Sequence, residues 1–172
     1  MTDIKGGLSM RDFCEIPDKK SVLLKIARLL NKSYITWGLG GSMLLYYYGI
    51  VDDVNDIDIL IDIRDLDKFE KVIKGYDFKH ENGNEKYTTA HLFSVNLDGV
   101  EFDFLLDFRI KLQSGEYVFP FGKGMIERRF LLDGEMICLS FLKEWKNAYH
   151  AMNRETKYRL IEAYFDRNKQ NY

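Results

Sequence analysis

Val54-Asn55-Asp56-Ile57-Asp58-Ile59-Leu60-Ile61 begins as an alternation of acid and isoleucine. Side chains alternate along a strand, so Asp56 and Asp58 share one face while Ile57, Ile59 and Ile61 share the other. The isoleucine face predicts a buried strand over 56–62. Two carboxylates side by side on the opposite face repel each other. A divalent cation between them relieves that repulsion, and hard cations such as Mg2+ prefer carboxylate oxygens.

Working upstream, Gly40-Gly41-Ser42 lies fourteen residues before the pair, counted from Ser42 to Asp56. Gly40 and Gly41 permit close approach of the backbone to a ligand. Ser42 is a good N-cap for a short helix over 43–48 that Gly49 ends. A helix N-terminus with a glycine approach is an anion site. Phosphate there and metal at the Asp pair is the layout of a nucleoside triphosphate site. Downstream, Asp98-Gly99 is a two-residue hairpin signal joining 91–96 to 100–105. In the second run Val100, Phe102 and Phe104 share one face, and Glu101 and Asp103 the other. A strand beside the Asp56/Asp58 strand brings Asp103 to that pair, while Asp107 falls beyond it.

Gly-Gly-Ser, then Asp-x-Asp, then a later strand with a single Asp, resembles the nucleotidyltransferase superfamily related to DNA polymerase beta. It is most similar to the small bacterial members: antibiotic nucleotidyltransferases of the lincosamide type and nucleotidyltransferase-like toxins of abortive-infection systems. The motifs span about 20–110, and a weaker likeness extends over 135–165. The resemblance implies a Mg2+-dependent enzyme, with Mn2+ as a substitute, that moves a nucleoside monophosphate from a triphosphate to a hydroxyl and releases pyrophosphate. Asp56 and Asp58 then hold the metal. Asp103 ligates the ion at the acceptor oxygen, and Gly40, Gly41 and Ser42 take the β and γ phosphates. A nucleotide-binding regulatory module and the toxin of a toxin–antitoxin pair are the alternative readings. The acceptor stays open among a small molecule, a protein and an RNA end.

The remaining sequence predicts an α+β fold: a small mixed sheet with flanking helices and a C-terminal helical pair. The 172 residues suit a single domain, with its core over about 17–139 and a helical tail over 140–167. Residues 1–16 read as a loosely docked lead-in. Pro17-Asp18 precedes a predicted helix that runs through Lys32, a second helix is predicted over 64–74, and the tail helices over 140–152 and 154–167. Strands are expected over 34–37, 76–80, 130–132 and 136–139, with a turn over 113–116 and an edge segment over 117–120. Apolar content of 46% and charged content of 30% are ordinary for a soluble protein. The run Met43–Tyr48 is too short to span a bilayer. No apolar signal core stands at the N-terminus, so a cytoplasmic protein with no membrane partner is expected. Cys14 and Cys138 read as buried thiols, His80, His91 and His150 as scattered. Tyr46, Tyr47 and Tyr48 pack the core or line a groove, with base stacking as a sharper option.

Net charge is −2, but the segment 52–70 carries −6 and 143–169 carries +3. An excess of three is thinner than the dense basic stripe of an extended nucleic-acid surface. Arg154 and Lys157 in that tail are either solvated helix charges or contacts to triphosphate.

Overall fold

The computed structural model describes residues 10–169. The chain runs α1 (Pro17–Lys32), β1 (Trp37–Leu39), α2 (Gly41–Tyr47), β2 (Ile57–Ile61), a single 3-10 turn (Ile63–Asp65) and α3 (Leu66–Ile73). It continues through β3 (Phe78–Glu81), β4 (His91–Leu97), β5 (Val100–Leu106), β6 (Arg109–Leu112), β7 (Gly115–Val118), β8 (Ile126–Leu132) and β9 (Glu135–Ser140). Helices α4 (Leu142–Ala151) and α5 (Glu155–Lys169) follow. Seven strands form one mixed sheet in the order β3-β4-β5-β2-β1-β9-β8, and β6 pairs β7 in a small second sheet. The α+β class and the C-terminal helical pair are as expected. Among the described residues no helix is long and apolar enough to cross a membrane.

The isoleucine face of β2 explains its central place. Ile57, Ile59 and Ile61 are all buried, and β2 pairs antiparallel with β1 and parallel with β5. The Asp98-Gly99 hairpin forms as expected, and Asp133-Gly134 makes a second between β8 and β9. Asp98 and Gly99 have φ of 52° and 84°, and Asp133 and Gly134 have φ of 46° and 85°, so both central residues take the positive φ of the tight hairpin turn. Three helices end in the same way. Tyr34, Gly49 and Asn153 each take positive φ, and the amides that follow α1, α2 and α4 turn back onto the last helical carbonyls.

Several expectations shift. Tyr34, predicted in a strand, closes α1 in the left-handed region and is 86% exposed, so β1 begins only at Trp37. Segment 10–16 is docked rather than loose: Phe13 is fully buried and stacks near Tyr46. Residues 1–9 of the predicted lead-in lie outside the described residues. Ser140, expected to open a helix, is the last residue of β9, whose Leu139 pairs with Leu39 of β1. Residues 117–118, expected as an edge segment, belong to β7. Cys14 is exposed; only Cys138 is buried. His80 and His91 are not scattered, since their ring nitrogens meet at 3.0 Å across β3 and β4.

Candidate active site

Parallel pairing of β2 and β5 places Asp58 directly opposite Asp103. Asp56 stands one residue before β2. Each of the three acids offers an oxygen within 4.8 Å of the others. Among the described residues this is the one group of three or more such side chains able to hold a metal ion. Glu101, the other acid on that face of β5, is exposed and takes a hydrogen bond from the Asn96 amide at 2.9 Å. Asp107 lies past the end of β5, where its φ of 53° turns the chain and Arg109 binds its carboxylate at 2.9 Å.

The turn before α2 presses on this cluster. The Gly40 amide donates to the Asp58 carbonyl at 2.9 Å. Gly41 has φ +55°, and a Cβ there would lie 1.7 Å from Asp58 Oδ2. At Gly40 a Cβ would lie 2.1 Å from Trp145 Cζ2. Both glycines are therefore required by the protein's own side chains. Ser42 is not the N-cap. Gly40 occupies that position, and no side chain caps the helix. The buried Ser42 hydroxyl donates instead to the Asp56 carbonyl at 3.2 Å.

Electrostatics mark the cluster as short of positive charge. Burial, with Asp56 and Asp103 nearby, pushes the Asp58 carboxyl up to about 7. Burial raises Asp103 as well, opposed by the Ser94 hydroxyl, which donates to Asp103 Oδ1 at 2.6 Å. Burial and the neighbouring Arg154 lower the Lys157 ammonium, while Asp58 and Asp56 hold it up. Arg154 and Lys157 thus both lie within electrostatic reach of the acids. Arg154 lines the cleft above them, and the Lys157 ammonium sits 5.0 Å from the Tyr149 ring centroid.

No protein-family model matches the sequence, and no curated protein matches it either. Solved structures do. A candidate nucleotidyltransferase from Thermotoga maritima is 22% identical over 88% of this chain and 95% of its own, with a TM-score of 0.66. The lincosamide antibiotic adenylyltransferase LnuA, bound to lincomycin, is 15% identical over 84% of this chain and 97% of its own, with a TM-score of 0.51. An antigenic nucleotidyltransferase-like protein from Paracoccidioides brasiliensis is 16% identical over 87% of this chain and 76% of its own, also at 0.51. The chain has the nucleotidyltransferase fold.

Within this nucleotidyltransferase fold the three acids sit in one open cleft. Sequence reading missed most of its walls. Glu81 comes from the end of β3, Asn84 and Tyr87 from the segment after it, and Trp145, Tyr149 and Met152 from α4 and its end. The α4 residues carry a faint signal, since Trp145 and Tyr149 are four apart and share a helix face. The segment after β3 carries none, because its turn residues are selected for backbone shape. The tyrosines proposed for base stacking are not here. Tyr47 stacks on Phe130, Tyr48 packs on Tyr164, and all three of Tyr46 to Tyr48 are buried.

Proposed function

We propose that the chain is a nucleotidyltransferase that moves a nucleoside monophosphate from a nucleoside triphosphate to a hydroxyl acceptor and releases pyrophosphate. One observation carries this reading: Asp56, Asp58 and Asp103 converge on one cleft from two paired strands. The donor set fits Mg2+, with Mn2+ as a substitute, since it is all carboxylate oxygen and its charge is uncompensated. A divalent ion bound there neutralises phosphate charge and acidifies a ligated hydroxyl.

The chain's own residues supply the rest. Asp56 and Asp58 would hold the ion that neutralises the triphosphate. Asp103 would ligate the ion at the acceptor side, where its carboxylate is placed to take the hydroxyl proton. The acceptor oxygen bonds to the α-phosphorus as the bond from that phosphorus to the bridging oxygen breaks, and pyrophosphate leaves. Gly40 holds the turn, and the Gly41 and Ser42 amides bind the β and γ phosphates from beside Asp58, while the Ser42 hydroxyl stays on the Asp56 carbonyl and fixes that turn to the acids. Arg154 and Lys157 oppose the same charge. Catalysis is then positioning and charge neutralisation. A small hydroxyl-bearing acceptor is the favoured class, since an adenylyltransferase of the same fold holds lincomycin.

Incubation with each of the four triphosphates, Mg2+ and a panel of hydroxyl acceptors tests the reading by pyrophosphate release and by mass spectrometry of the acceptors. The expected gain is one nucleoside monophosphate on one acceptor. Asp103→Asn should keep triphosphate affinity within a few-fold yet lose about 10²–10⁴ in rate. Triphosphate binding with no pyrophosphate in any arm would make the chain a binding module.

A further inference from the structure

The cleft floor is a row of cross-strand partners. Asp58 of β2 lies opposite Asp103 of β5, and Asp103 lies opposite Ser94 of β4. Cross-strand partners share a face of the sheet, so Ser94 stands on the metal-binding side. Its hydroxyl donates to Asp103 Oδ1 at 2.6 Å, the length of a hydrogen bond to an ionised oxygen. Asp103 Oδ2 accepts no hydrogen bond from any described residue. The next member of the row, Lys79 of β3, is turned to Glu81 and leaves the Ser94 contact unshared.

A serine inside a strand is not chosen for propensity or packing. Flanking it on the same face of β4, Asn96 makes a similar contact to Glu101, but that pair is exposed and outside the cleft. Only the Ser94 contact falls on a carboxylate of the converging triad. We infer that Ser94 is a positioning residue of the metal site: it pins one oxygen of Asp103 and leaves the other to meet the ion. The inference rests on Asp56, Asp58 and Asp103 being the metal ligands of the proposed function. Partners that orient a ligating carboxylate characteristically matter about 10–100-fold in metal affinity or activity.

Mn2+ binding, followed by the spin-resonance signal of the free ion, tests this without turnover. Ser94→Ala should weaken Mn2+ binding about 10–100-fold, while its circular dichroism and urea midpoint stay close to wild type. Ser94→Thr, which keeps the hydroxyl, should bind Mn2+ within a few-fold of wild type. In the transfer assay Ser94→Ala should lower kcat and leave the triphosphate KM within about threefold, the mark of an interaction made in the transition state. Wild-type Mn2+ affinity in Ser94→Ala overturns the inference. So does equal impairment of the Ala and Thr variants, which would assign the effect to shape rather than to the hydroxyl. Wild type that binds Mn2+ through the three acids but releases no pyrophosphate sinks the enzyme reading alone, and the Mn2+ comparison still decides Ser94. Wild type that binds no Mn2+ overturns both.

Discussion

At residue scale the two glycines before α2 separate structure from site. Gly41 combines φ +55° with a Cβ position 1.7 Å from Asp58 Oδ2. Gly41→Ala forces a side chain into the left-handed region, which costs about 1–3 kcal/mol, and must push the Asp58 carboxylate away. The expected result is a lower urea midpoint together with loss of the stabilisation by Mg2+. Gly40→Ala drives its Cβ into Trp145 Cζ2 instead. Overpacking of this kind costs about 1–3 kcal/mol, but the Mg2+ response should survive. If both variants lose or both keep that response, Gly41 is not what seats Asp58. In the sequence Gly-Gly read as a close approach of the backbone to a ligand. Its cause was not legible, because the atoms that exclude a Cβ come from Asp58 and Trp145, far along the chain. Ser42 fails in the same way. A cap is a local expectation, and the Asp56 carbonyl that takes its hydroxyl belongs to another element.

At the scale of elements, legibility follows the range of the interaction. Asp98-Gly99 and Asp133-Gly134 encode their hairpins locally, and β4–β5 and β8–β9 pair as the turn residues require. The alternation at 56–61 encodes β2 and the facing of its acids. The parallel neighbours of β2 and β1 are set by crossovers that leave no local mark, so Asp103 came to the pair through the family resemblance rather than through a local signal, and the place of β9 could not be read before folding. Ser140 shows the consequence. Read as a helix opener, it links three elements: its hydroxyl donates to the Leu39 carbonyl at 2.7 Å and accepts from Trp145 Nε1 at 2.9 Å. Fully buried polar groups are costly when unpaired. Ser140→Ala should therefore destabilise the protein by about 1–3 kcal/mol by stranding the indole N–H and the carbonyl. Ser140→Ala combined with Trp145→Phe should cost less than the sum of the single changes, measured by urea unfolding, because the second change removes the stranded donor. Additive costs would mean that the relay does not join α4 to the sheet.

At the scale of the whole molecule, the proposed metal site should tie stability to pH and to metal with opposite signs. Asp58 is pushed up to about 7 in the fold, against an ordinary value of about 3.9. Between those limits the folded chain binds more protons than the unfolded one, so the metal-free protein loses stability as pH rises through that window. Asp103 is shifted in the same direction and adds to the slope. A metal ion requires the deprotonated acids, so its contribution grows over the same range. At pH 8, with binding near 1 mM, 10 mM Mg2+ adds about 1.4 kcal/mol by mass action. For a chain of this size that is roughly 3–6 °C in Tm. Thermal melts from pH 5 to pH 8, with and without Mg2+, should therefore show two curves that lie together at the acid end and separate towards pH 8. Asp56→Asn/Asp58→Asn should flatten the metal-free curve across the window and erase the separation. A double mutant that still gains 3–6 °C from Mg2+ at pH 8 would place the ion elsewhere. A wild-type metal-free curve that rises from pH 5 to pH 7 would mean that the three carboxylates are already neutralised by charges of the protein itself.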